Sequence, residues 1–535
     1  MSTSDTETVD IVIIGAGFSG LYALHRMRGY NVLCFEAGDG VGGTWYWNRY
    51  PGARVDIQSV EYSYSFDKEL EQEWSWPEYF SGQAELERYA NHVADRHGLR
   101  DRIRLSTRVM SMRFDEPTNR WHVRTDKGDH VICRYVVAAT GSLSAPNTPP
   151  WPDRDLFKGE IYHTTQWPRD GVDLAGKRVG QIGTGSTGIQ LAPMLAEQAE
   201  HLTVFQRTPA FAMPSGNRPM DAAYEQEWKA NYPERRQQML ETYGVSMVLK
   251  APDFCAYECT PEQQQDILEK AWTSQSAFQL LVAFKDIATD ERANALVAEF
   301  ARGKIRDIVK DPATAELLCP TTYPIGSKRL CIENGYFEMF NRDNVTLVDV
   351  HADPIVGFTE TGLRTANGRY DLDVIVTATG FDAITGAMAR IDIEGVDGMS
   401  LAEKWADGPT VWLGAMVAGF PNLLMIHGPM TPGAQAQMLM SGEWQVDFVA
   451  DIIEEMDRDG LSRIDVTTEA EGWWAQEVDN CSQLTLHRLA DSWYNGKNIE
   501  GKRGGFMIYV GGFPRYVQLC RDAVQNGYKG FVRSA

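Results

Sequence analysis

Two predicted strands end in residues of opposite charge, and this difference points to two different nucleotides. Glu36 ends the apolar run Asn31 to Phe35. Arg207 and Thr208 follow the apolar run Leu202 to Phe205. A carboxylate at this position binds ribose hydroxyls and repels a 2′-phosphate, whereas a guanidinium binds such a phosphate in a bidentate manner. The first position therefore predicts FAD or NAD, and the second predicts NADP.

A glycine-rich loop precedes each of these strands. In the first unit, a buried strand at Val9 to Ile14 leads through G-x-G-x-x-G into a helix from Leu21 to Met27. In the second, the strand is predicted at Lys177 to Ile182 and the helix at Ser186 to Gln198. The loop glycines are Gly15, Gly17, Gly20, Gly183, Gly185 and Gly188. Such loops let a pyrophosphate reach the free N–H groups of a helix. Two of them predict a flavoprotein that takes hydride from NADPH.

A third stretch, FKGEIYHTTQWP, lies between the two units at Phe157 to Pro168. It shows neither strand nor helix periodicity, yet it carries a glycine, a histidine and a tryptophan. His163 is a candidate general base because histidine titrates near neutral pH.

Size and composition set the broad class of protein. The 535 residues suffice for about three domains of ~150 residues each. The formal charge of -22 argues against a nucleic acid or an anionic membrane as partner, and no apolar run approaches the ~18 residues that span a bilayer. The polar, acidic start lacks the features of a signal peptide, so we expect a cytoplasmic protein. Scattered cysteines and histidines, without C-x-x-C or H-E-x-x-H, predict no metal site.

Two longer motifs relate the chain to a known family. The segment Gly42 to Asp56 fits G-G-x-W-x-x-x-x-Y-P-G-x-x-x-D, and the third stretch fits F-x-G-x-x-x-H-x-x-x-W-P. The fixed residues of the second motif are Phe157, Gly159, His163, Trp167 and Pro168. In these motifs and in the order of both loops, the whole chain resembles the type I Baeyer-Villiger monooxygenases. Those enzymes use FAD, NADPH and O2 to convert ketones to esters or lactones.

The resemblance implies a mechanism and its catalytic residues. In the family, NADPH reduces the flavin, O2 gives a flavin C4a-peroxide, and the deprotonated peroxide attacks the ketone carbon. Arg329 matches the catalytic arginine of the family, and Asp56 matches the carboxylate that orients it beside the flavin. One charge at ~4 Å is worth roughly 4 kcal/mol at an effective dielectric of 20, which favours the anionic peroxide. Arginine suits this role because it stays protonated.

The resemblance also implies the residues that contact the cofactors. Lys328 is expected to join Arg207 and Thr208 at the 2′-phosphate, and Trp493 to cover the nicotinamide nucleotide. The expected FAD contacts are Gly15, Gly17, Ser19, Gly20, Glu36, Gly43, Thr44, Trp45, Asp56, Tyr62, Val109 and Met438. The expected NADP contacts are Thr184, Gly185, Ser186, Thr187, Gly188, Gln190, Arg207, Thr208, Lys328, Arg329 and Trp493.

The implied mechanism needs no general base from the stretch Phe157 to Pro168, and this changes the interpretation of His163. Together with Phe157, Gly159 and Trp167 it is better interpreted as part of a hinge between the FAD and NADP domains. We therefore expect His163→Ala to impair the handling of NADPH more than the rearrangement itself.

The predicted fold class is α/β, with two dinucleotide-binding (Rossmann-like) domains of the two-dinucleotide flavoprotein type and a helical insertion. The FAD-binding domain is expected at residues 1–145 and 381–535, and the NADP-binding domain at 146–219 and 328–380. Apolar residues at helical spacing predict the insertion at 220–327.

The substrate is less well defined than the reaction. Within Met425 to Met440, Ala434, Ala436 and several methionines could leave a roomy pocket for cyclic or bulky ketones, although the alanines could equally pack a turn. A flavin-containing monooxygenase that oxidises N or S centres, and a redox-sensing flavoprotein without oxygenation, are alternatives. Both complete motifs favour the ketone monooxygenase. The expected partners are a ketone and O2, and the expected state is a monomer or weak dimer.

Overall fold

The computed structural model describes residues 6–274, 276–433, 435–499, 501–502 and 505–535. Its β-strands are β1 (Glu7–Ile14), β2 (Val32–Phe35), β3 (Ile103–Arg104), β4 (Val109–Asp115), β5 (Arg120–Thr125), β6 (His130–Ala138), β7 (Glu160–His163), β8 (Arg178–Ile182), β9 (His201–Gln206), β10 (Ala212–Pro214), β11 (Cys331–Glu333), β12 (Val345–Asp349), β13 (Ile355–Thr359), β14 (Gly362–Thr365), β15 (Arg369–Asp371), β16 (Val374–Thr377), β17 (Asp392–Glu394), β18 (Leu423–Met425), β19 (Arg463–Val466) and β20 (Phe531–Ser534). Its α-helices are α1 (Phe18–Arg26), α2 (Thr44–Trp47), α3 (Lys68–Glu73), α4 (Gln83–Arg96), α5 (Ser186–Gln198), α6 (Ala222–Leu240), α7 (Pro261–Thr273), α8 (Glu291–Ile308), α9 (Pro312–Leu318), α10 (Tyr336–Met339), α11 (Gly386–Ala389), α12 (Leu401–Lys404), α13 (Met438–Arg458), α14 (Thr468–Gln483) and α15 (Phe513–Gln525).

The first sheet is built around β1, whose valines and isoleucines are buried. Its strand order is β17-β4-β5-β6-β1-β2-β3, and β18 also pairs with β6. Strands β2 and β6 run parallel to β1, and β18 runs parallel to β6. Because parallel strands end at one edge of a sheet, the loops that follow β1, β2, β6 and β18 converge there.

The second sheet has the order β12-β9-β8-β16-β7, and its pairings are parallel. An antiparallel meander, β13-β14-β15, is separate from it. The helix after β8 spans Ser186–Gln198 as predicted. Helix α1 begins at Phe18, earlier than the predicted Leu21, because the chain turns into the helix directly after Gly17. The predicted α/β architecture with two nucleotide-binding units is confirmed.

The helices α6 to α9 pack against both units. Trp228 and Tyr232 of α6 belong to the same buried cluster as the first sheet. Ile305 of α8 and Leu318 of α9 belong to the cluster that surrounds the second sheet. The helical region therefore stabilises the arrangement of the two sheets as well as its own fold.

A buried carboxylate joins the helical region to the first unit. Glu61 is fully buried, and its Oε1 accepts the Met247 N–H at 3.2 Å. Its backbone carbonyl accepts a hydrogen bond of 2.9 Å from the Arg236 guanidinium. Burial raises the pKa of Glu61 to about 7, although a hydrogen bond from Ser246 and the charge of Arg236 act in the opposite direction. The fold therefore favours the protonated acid.

Glu61→Gln is expected to stabilise the protein at pH 8 and to leave its stability unchanged at pH 4. The folded chain holds this proton more tightly than the unfolded chain does, so the wild type loses stability as the pH rises from about 4.5 to about 7. Glutamine removes that loss, and we expect the Tm at pH 8 to rise by roughly 2 °C. Thermal unfolding measured across this pH range checks the result. Glu234→Gln, at an exposed site on α6, is the matched control and should not alter the pH profile.

Candidate active site

The first glycine loop fits a pyrophosphate. Gly15 has a φ of +101°, and a Cβ there would lie 2.6 Å from the Ala139 carbonyl oxygen. A Cβ on Gly43 would lie 2.7 Å from the Gly17 Cα, so the loop and the motif Gly42 to Asp56 touch backbone to backbone. Helix α1 has no capping side chain and no acidic residue in its first turn. Its amino end is therefore open to an anion.

Glu36 fixes the edge of this loop. Its buried carboxylate accepts the Ala16 N–H at 2.8 Å and the Gly38 N–H at 2.7 Å. Burial raises the pKa of Glu36, although these two N–H groups act against the shift. The Trp47 side chain also donates to this carboxylate. Since a carboxylate has about four lone-pair sites, one remains that suits a ribose hydroxyl.

The second loop has the same construction. Gly183 has a φ of +108°, and a Cβ there would overlap the Ala378 carbonyl, whereas the space beside Gly185 is open. Thr184 Oγ1 donates to the Thr208 carbonyl at 3.1 Å, and Ser186 Oγ lies 3.3 Å from Cys331 Sγ. Helix α5 again begins without a capping side chain or an acidic residue in its first turn. This loop also fits a dinucleotide.

Two cations lie next to the second loop. Arg207 is exposed, and Lys328 is partly buried with its Nζ 4.6 Å from the centre of the Tyr323 ring. Burial lowers the pKa of Lys328, and the charge of Arg207 lowers it further. Two neighbouring cations repel each other, and a 2′-phosphate bound between them would remove this repulsion. Such a phosphate would therefore be stabilised by both side chains. The structure thus brings together residues that the sequence predicted as one phosphate site.

The motif Gly42 to Asp56 connects the two units. Its Tyr50 OH donates to Gln190 Oε1 at 2.8 Å, and Gln190 Nε2 donates to the Arg54 carbonyl at 3.1 Å. Gly52 turns with a φ of +86° against the Gln190 carbonyl of α5, where a Cβ would overlap it. The Gln190 amide is therefore occupied by the first unit, and its contact with NADP stays a prediction. Thr187 also interacts with Tyr50.

Arg329 and Asp56 form an ion pair where the two units meet. Arg329 Nε donates to Asp56 Oδ2 at 2.7 Å, and Arg329 Nη2 lies 2.6 Å from the same oxygen as an ion pair. Both side chains keep about 30% exposure. Burial acts most strongly and lowers the pKa of Arg329, but the charge and hydrogen bond of Asp56, together with Tyr494 and Cys331, outweigh it and leave the pKa above its ordinary value. The guanidinium is thus a permanent and oriented cation that still reaches solvent-accessible space.

The helical region contributes an aromatic ring to this cation. The Arg329 guanidinium carbon lies 5.0 Å from the centre of the Phe278 ring, within cation-π range. Phe278 is buried and has a φ of +64°, a costly conformation for a bulky residue. Tyr494 is also buried close enough to feel the charges of Arg329 and Asp56, and burial raises its pKa to about 12.

The other expected FAD contacts lie around the same edge. Trp45 Nε1 donates to the Tyr62 hydroxyl at 3.1 Å, and Thr44 beside it is exposed. Val109 is buried at the start of β4, and Met438 is the first residue of α13. Their contacts with FAD stay predictions.

Several expected contacts surround a small cavity. Trp493 and Met438, which are distant in the sequence, both line this cavity. Ser19, in the first turn of α1, lies near Gly442 of α13. Ala436 is buried just before α13, and Ala434 lies outside the described residues.

The motif around His163 is explained by packing. Gly159 is required because a Cβ would overlap the Asp373 carbonyl and the Phe157 ring. Trp167 is buried and its ring centre lies 5.8 Å from that of Tyr162. These residues fix the strand β7 at the edge of the second sheet.

His163 itself lies where both connections between the units pass. Its Nδ1 accepts the Thr165 N–H at 3.2 Å, and its Nε2 lies 3.4 Å from the Asn147 carbonyl. That carbonyl also accepts from Thr379 Oγ1 at 2.6 Å, and Asn147 N–H donates to the Gly380 carbonyl at 2.9 Å. Burial lowers the pKa of His163, which suits this structural use of a neutral ring. The hinge role stays a prediction.

Sequence reasoning missed three residues near these sites. Phe278 belongs to the helical region, and nothing in its spacing links it to Arg329. Tyr494 is adjacent to the predicted Trp493, and its burial gave no sequence signal. His427 follows β18 in an apolar stretch, where a single histidine usually indicates packing.

Within the described residues, no helix is long and apolar enough to cross a membrane, and no cluster of His, Cys, Asp or Glu could hold a metal ion.

Comparison with known proteins agrees with this geometry. A model of flavin-binding monooxygenase-like proteins matches residues 8–251. A Baeyer-Villiger monooxygenase of Pseudooceanicola batsensis is 41% identical over 100% of this chain and 98% of its own. Among solved structures, an oxidised steroid monooxygenase bound to NADP is 47% identical over 98% of this chain and 99% of its own, with a TM-score of 0.93. The OTEMO complex with FAD and NADP is 38% identical over 99% of this chain and 100% of its own, with a TM-score of 0.95.

Proposed function

Because the chain belongs to the Baeyer-Villiger monooxygenases, we propose that its Arg329–Asp56 pair is the catalytic centre for converting ketones to esters or lactones. The enzyme is an FAD-dependent monooxygenase that uses NADPH and O2. The observation that carries the proposal is the oriented cation at the meeting point of two loops, each of which fits a dinucleotide.

The proposed roles follow from the positions of the side chains. Bound FAD supplies the capacity to accept hydride and to activate O2. The Arg329 guanidinium stabilises negative charge that develops on the reacting oxygen atoms, and it cannot lose its proton to them. Asp56 fixes the orientation of the guanidinium and offsets the cost of its partial burial. Phe278, whose ring centre lies 5.0 Å from the guanidinium carbon, limits the movement of the guanidinium.

Product analysis tests the proposed function directly. Purified enzyme with FAD, NADPH and O2 is incubated with a panel of ketones and sulfides, and the products are separated by chromatography. We expect esters or lactones in amounts close to the NADPH consumed. Oxidation confined to sulfides or amines would support the alternative of a flavin-containing monooxygenase. Hydrogen peroxide as the sole product across the panel would contradict oxygenation altogether.

Arg207→Ala is expected to raise the KM for NADPH by about 30-fold and to leave the KM for NADH unchanged, because charged hydrogen bonds to a phosphate are worth about 2 kcal/mol. NADH lacks the 2′-phosphate and therefore cannot lose this contact. Initial rates of NADPH and NADH oxidation check the result. Arg364→Ala, at an exposed site on β14, is the matched control. An equal effect on both nucleotides would contradict a 2′-phosphate site at Arg207.

We also propose that the substrates are cyclic or bulky ketones. The flexible Met438 side chain lines the cavity, and Ala436, two residues before it in the chain, is small. A higher kcat/KM for fused-ring than for short linear ketones is the expected result, and a sharp preference for short linear ketones would contradict it.

The proposed setting is the cytoplasm, with the protein as a monomer or weak dimer. All eight cysteines are free thiols, which suits a reducing compartment. Light scattering during size-exclusion chromatography measures the oligomeric state.

A further inference from the structure

Arg236 is a buried cation that joins the helical region to the first unit. It lies on α6 and is 5% exposed. Its Nε donates to Glu71 Oε1 of α3 at 3.0 Å, and both side chains of this ion pair are buried. A guanidinium carries several further N–H donors, and a buried charge is costly unless its hydrogen bonds are made. The remaining donors of Arg236 therefore hold their partners in fixed positions.

Those donors bind both neighbours of Tyr62. Arg236 Nη1 donates to the Glu61 carbonyl at 2.9 Å, and Nη2 donates to Ser63 Oγ at 2.6 Å. The Glu61 carbonyl also accepts a hydrogen bond of 2.7 Å from Gln437 Nε2, and Gln437 is the residue that caps α13. Arg236 therefore fixes the chain on either side of Tyr62.

Tyr62 lies between the first glycine loop and the Arg329–Asp56 pair. Its ring centre lies 5.9 Å from that of Phe18, the first residue of α1. Burial raises the pKa of Tyr62 to about 12, against a hydrogen bond from Trp45, so the hydroxyl keeps its proton near pH 7. Asp56 and Arg329 also act on this pKa, so both charges lie near the hydroxyl. A flavin nucleotide that reaches from the loop to the Arg329 cation therefore passes Tyr62.

The Tyr62 hydroxyl has an unused donor. Its oxygen accepts Trp45 Nε1 at 3.1 Å, which leaves its own proton for a further partner. No acceptor for that proton is found within the described part of the chain, and the side chain is partly exposed. FAD offers such acceptors, since its flavin carbonyls, ribityl hydroxyls and phosphates all accept hydrogen bonds.

We propose that Arg236 is a positioning residue for bound FAD, and that it acts by holding the Tyr62 hydroxyl where its proton is donated to the cofactor. The helical region thereby sets the geometry of the cofactor site of the first unit through one buried side chain. The inference rests on the proposed function, because the place of the Arg329–Asp56 pair puts Tyr62 beside the flavin.

Three substitutions test the links between Arg236 and FAD. Tyr62→Phe removes the hydroxyl and keeps the ring. Arg236→Lys keeps a cation for Glu71, but a single nitrogen cannot reach both neighbours of Tyr62 as the guanidinium fork does. Ser63→Ala removes one of the two partners and leaves the Arg236–Glu71 ion pair intact, so it decides the question where Arg236→Lys folds poorly.

The Kd for FAD is measured by reconstituting the apoenzyme of each variant, alone and combined with Tyr62→Phe, and the Tm of each is recorded. Neither NADPH nor a ketone is present, so a wild type that binds FAD but forms no ester or lactone would contradict the proposed function alone. Arg235→Lys is the matched control, because Arg235 is the next residue on α6 and its partner, Glu227, belongs to the same helix. This variant should bind FAD as the wild type does.

Tyr62→Phe is expected to raise the Kd for FAD by about tenfold, which corresponds to one hydrogen bond. Arg236→Lys should raise it by about fivefold when the hydroxyl is present, and by less than about twofold when Tyr62→Phe has removed it. Ser63→Ala should show the same pattern with a smaller rise. This dependence on the hydroxyl indicates a positioning role, because a general loss of structure would weaken binding by the same factor in both backgrounds.

The proposal is overturned if Arg236→Lys weakens FAD binding equally with and without the Tyr62 hydroxyl. It is also overturned if Tyr62→Phe leaves the Kd unchanged, because the hydroxyl then makes no contact with the cofactor. A lower Tm of Arg236→Lys and Ser63→Ala, with both Kd values within about twofold of the wild type, would overturn it as well and assign Arg236 to the stability of the fold.

Discussion

Arg329→Ala is expected to lower the rate of ester or lactone formation by about a thousandfold. The change removes the permanent cation of the candidate active site and leaves Asp56 without the hydrogen bond of 2.7 Å that it accepts from Nε and without the ion pair of 2.6 Å to Nη2. The remaining carboxylate would then repel negative charge on the reacting oxygen atoms. NADPH should still bleach the flavin absorbance at a rate within about tenfold of the wild type, because hydride transfer needs no such cation.

Stopped-flow absorbance and chromatography separate these two effects. The first follows reduction by NADPH without O2, and the second measures product per NADPH consumed. Arg329→Lys keeps the charge but has one nitrogen in place of the guanidinium fork, so its rate should fall between those of the wild type and the alanine variant. Arg342→Ala, an exposed site on the second unit, should match the wild type. Substantial ketone oxidation by Arg329→Ala would remove Arg329 from the catalytic role.

Gly43→Ala is expected to raise the Kd for FAD by at least about a hundredfold, so that the protein is isolated with little flavin. Gly43 has a φ of +55°, and its Cβ would lie 2.7 Å from the Gly17 Cα. Neither backbone can move freely, since a Cβ on Gly15 or Gly20 of the same loop would also overlap neighbouring backbone. The methyl group therefore has to displace the loop that binds the pyrophosphate.

The flavin content after purification and the Kd from apoenzyme reconstitution measure this effect. Gly472→Ala is the matched control, because Gly472 lies inside α14 with open space around it. That substitution should leave FAD binding unchanged and stabilise the helix by up to about 1 kcal/mol. Retention of stoichiometric FAD by Gly43→Ala would show that the contact between the two motifs can relax.

The nucleotide loops could be predicted from sequence because local constraints define them. A buried strand, a glycine spacing and a strand-ending charge all act within a short segment, so the residue types of Glu36 and Arg207 suffice to indicate different nucleotides. The resemblance to the family added Arg329 and Asp56, which the structure brings together as an ion pair.

The remaining features depend on contacts between distant segments. Phe278 reaches Arg329 only because the helical region packs on both sheets, and periodicity within that region carries no information about the contact. The hydrogen bonds of the Gln190 side chain to the first unit depend on the positions of Tyr50 and Arg54 in the fold. His427 is similar, since the burial of its Nδ1 without a hydrogen-bond partner among the described residues can be recognised only when its neighbours are known.

The contact between α5 and the motif Gly42 to Asp56 has a consequence for the exchange of domains among relatives. Gly52, Tyr50 and Arg54 of the first unit fit one particular helix of the second. A chimera that takes its NADP unit from another family member would therefore need residues 42–56 from the same donor. Residues 42–56 belong to the first unit, but such a chimera would have to take them from the donor of the second unit.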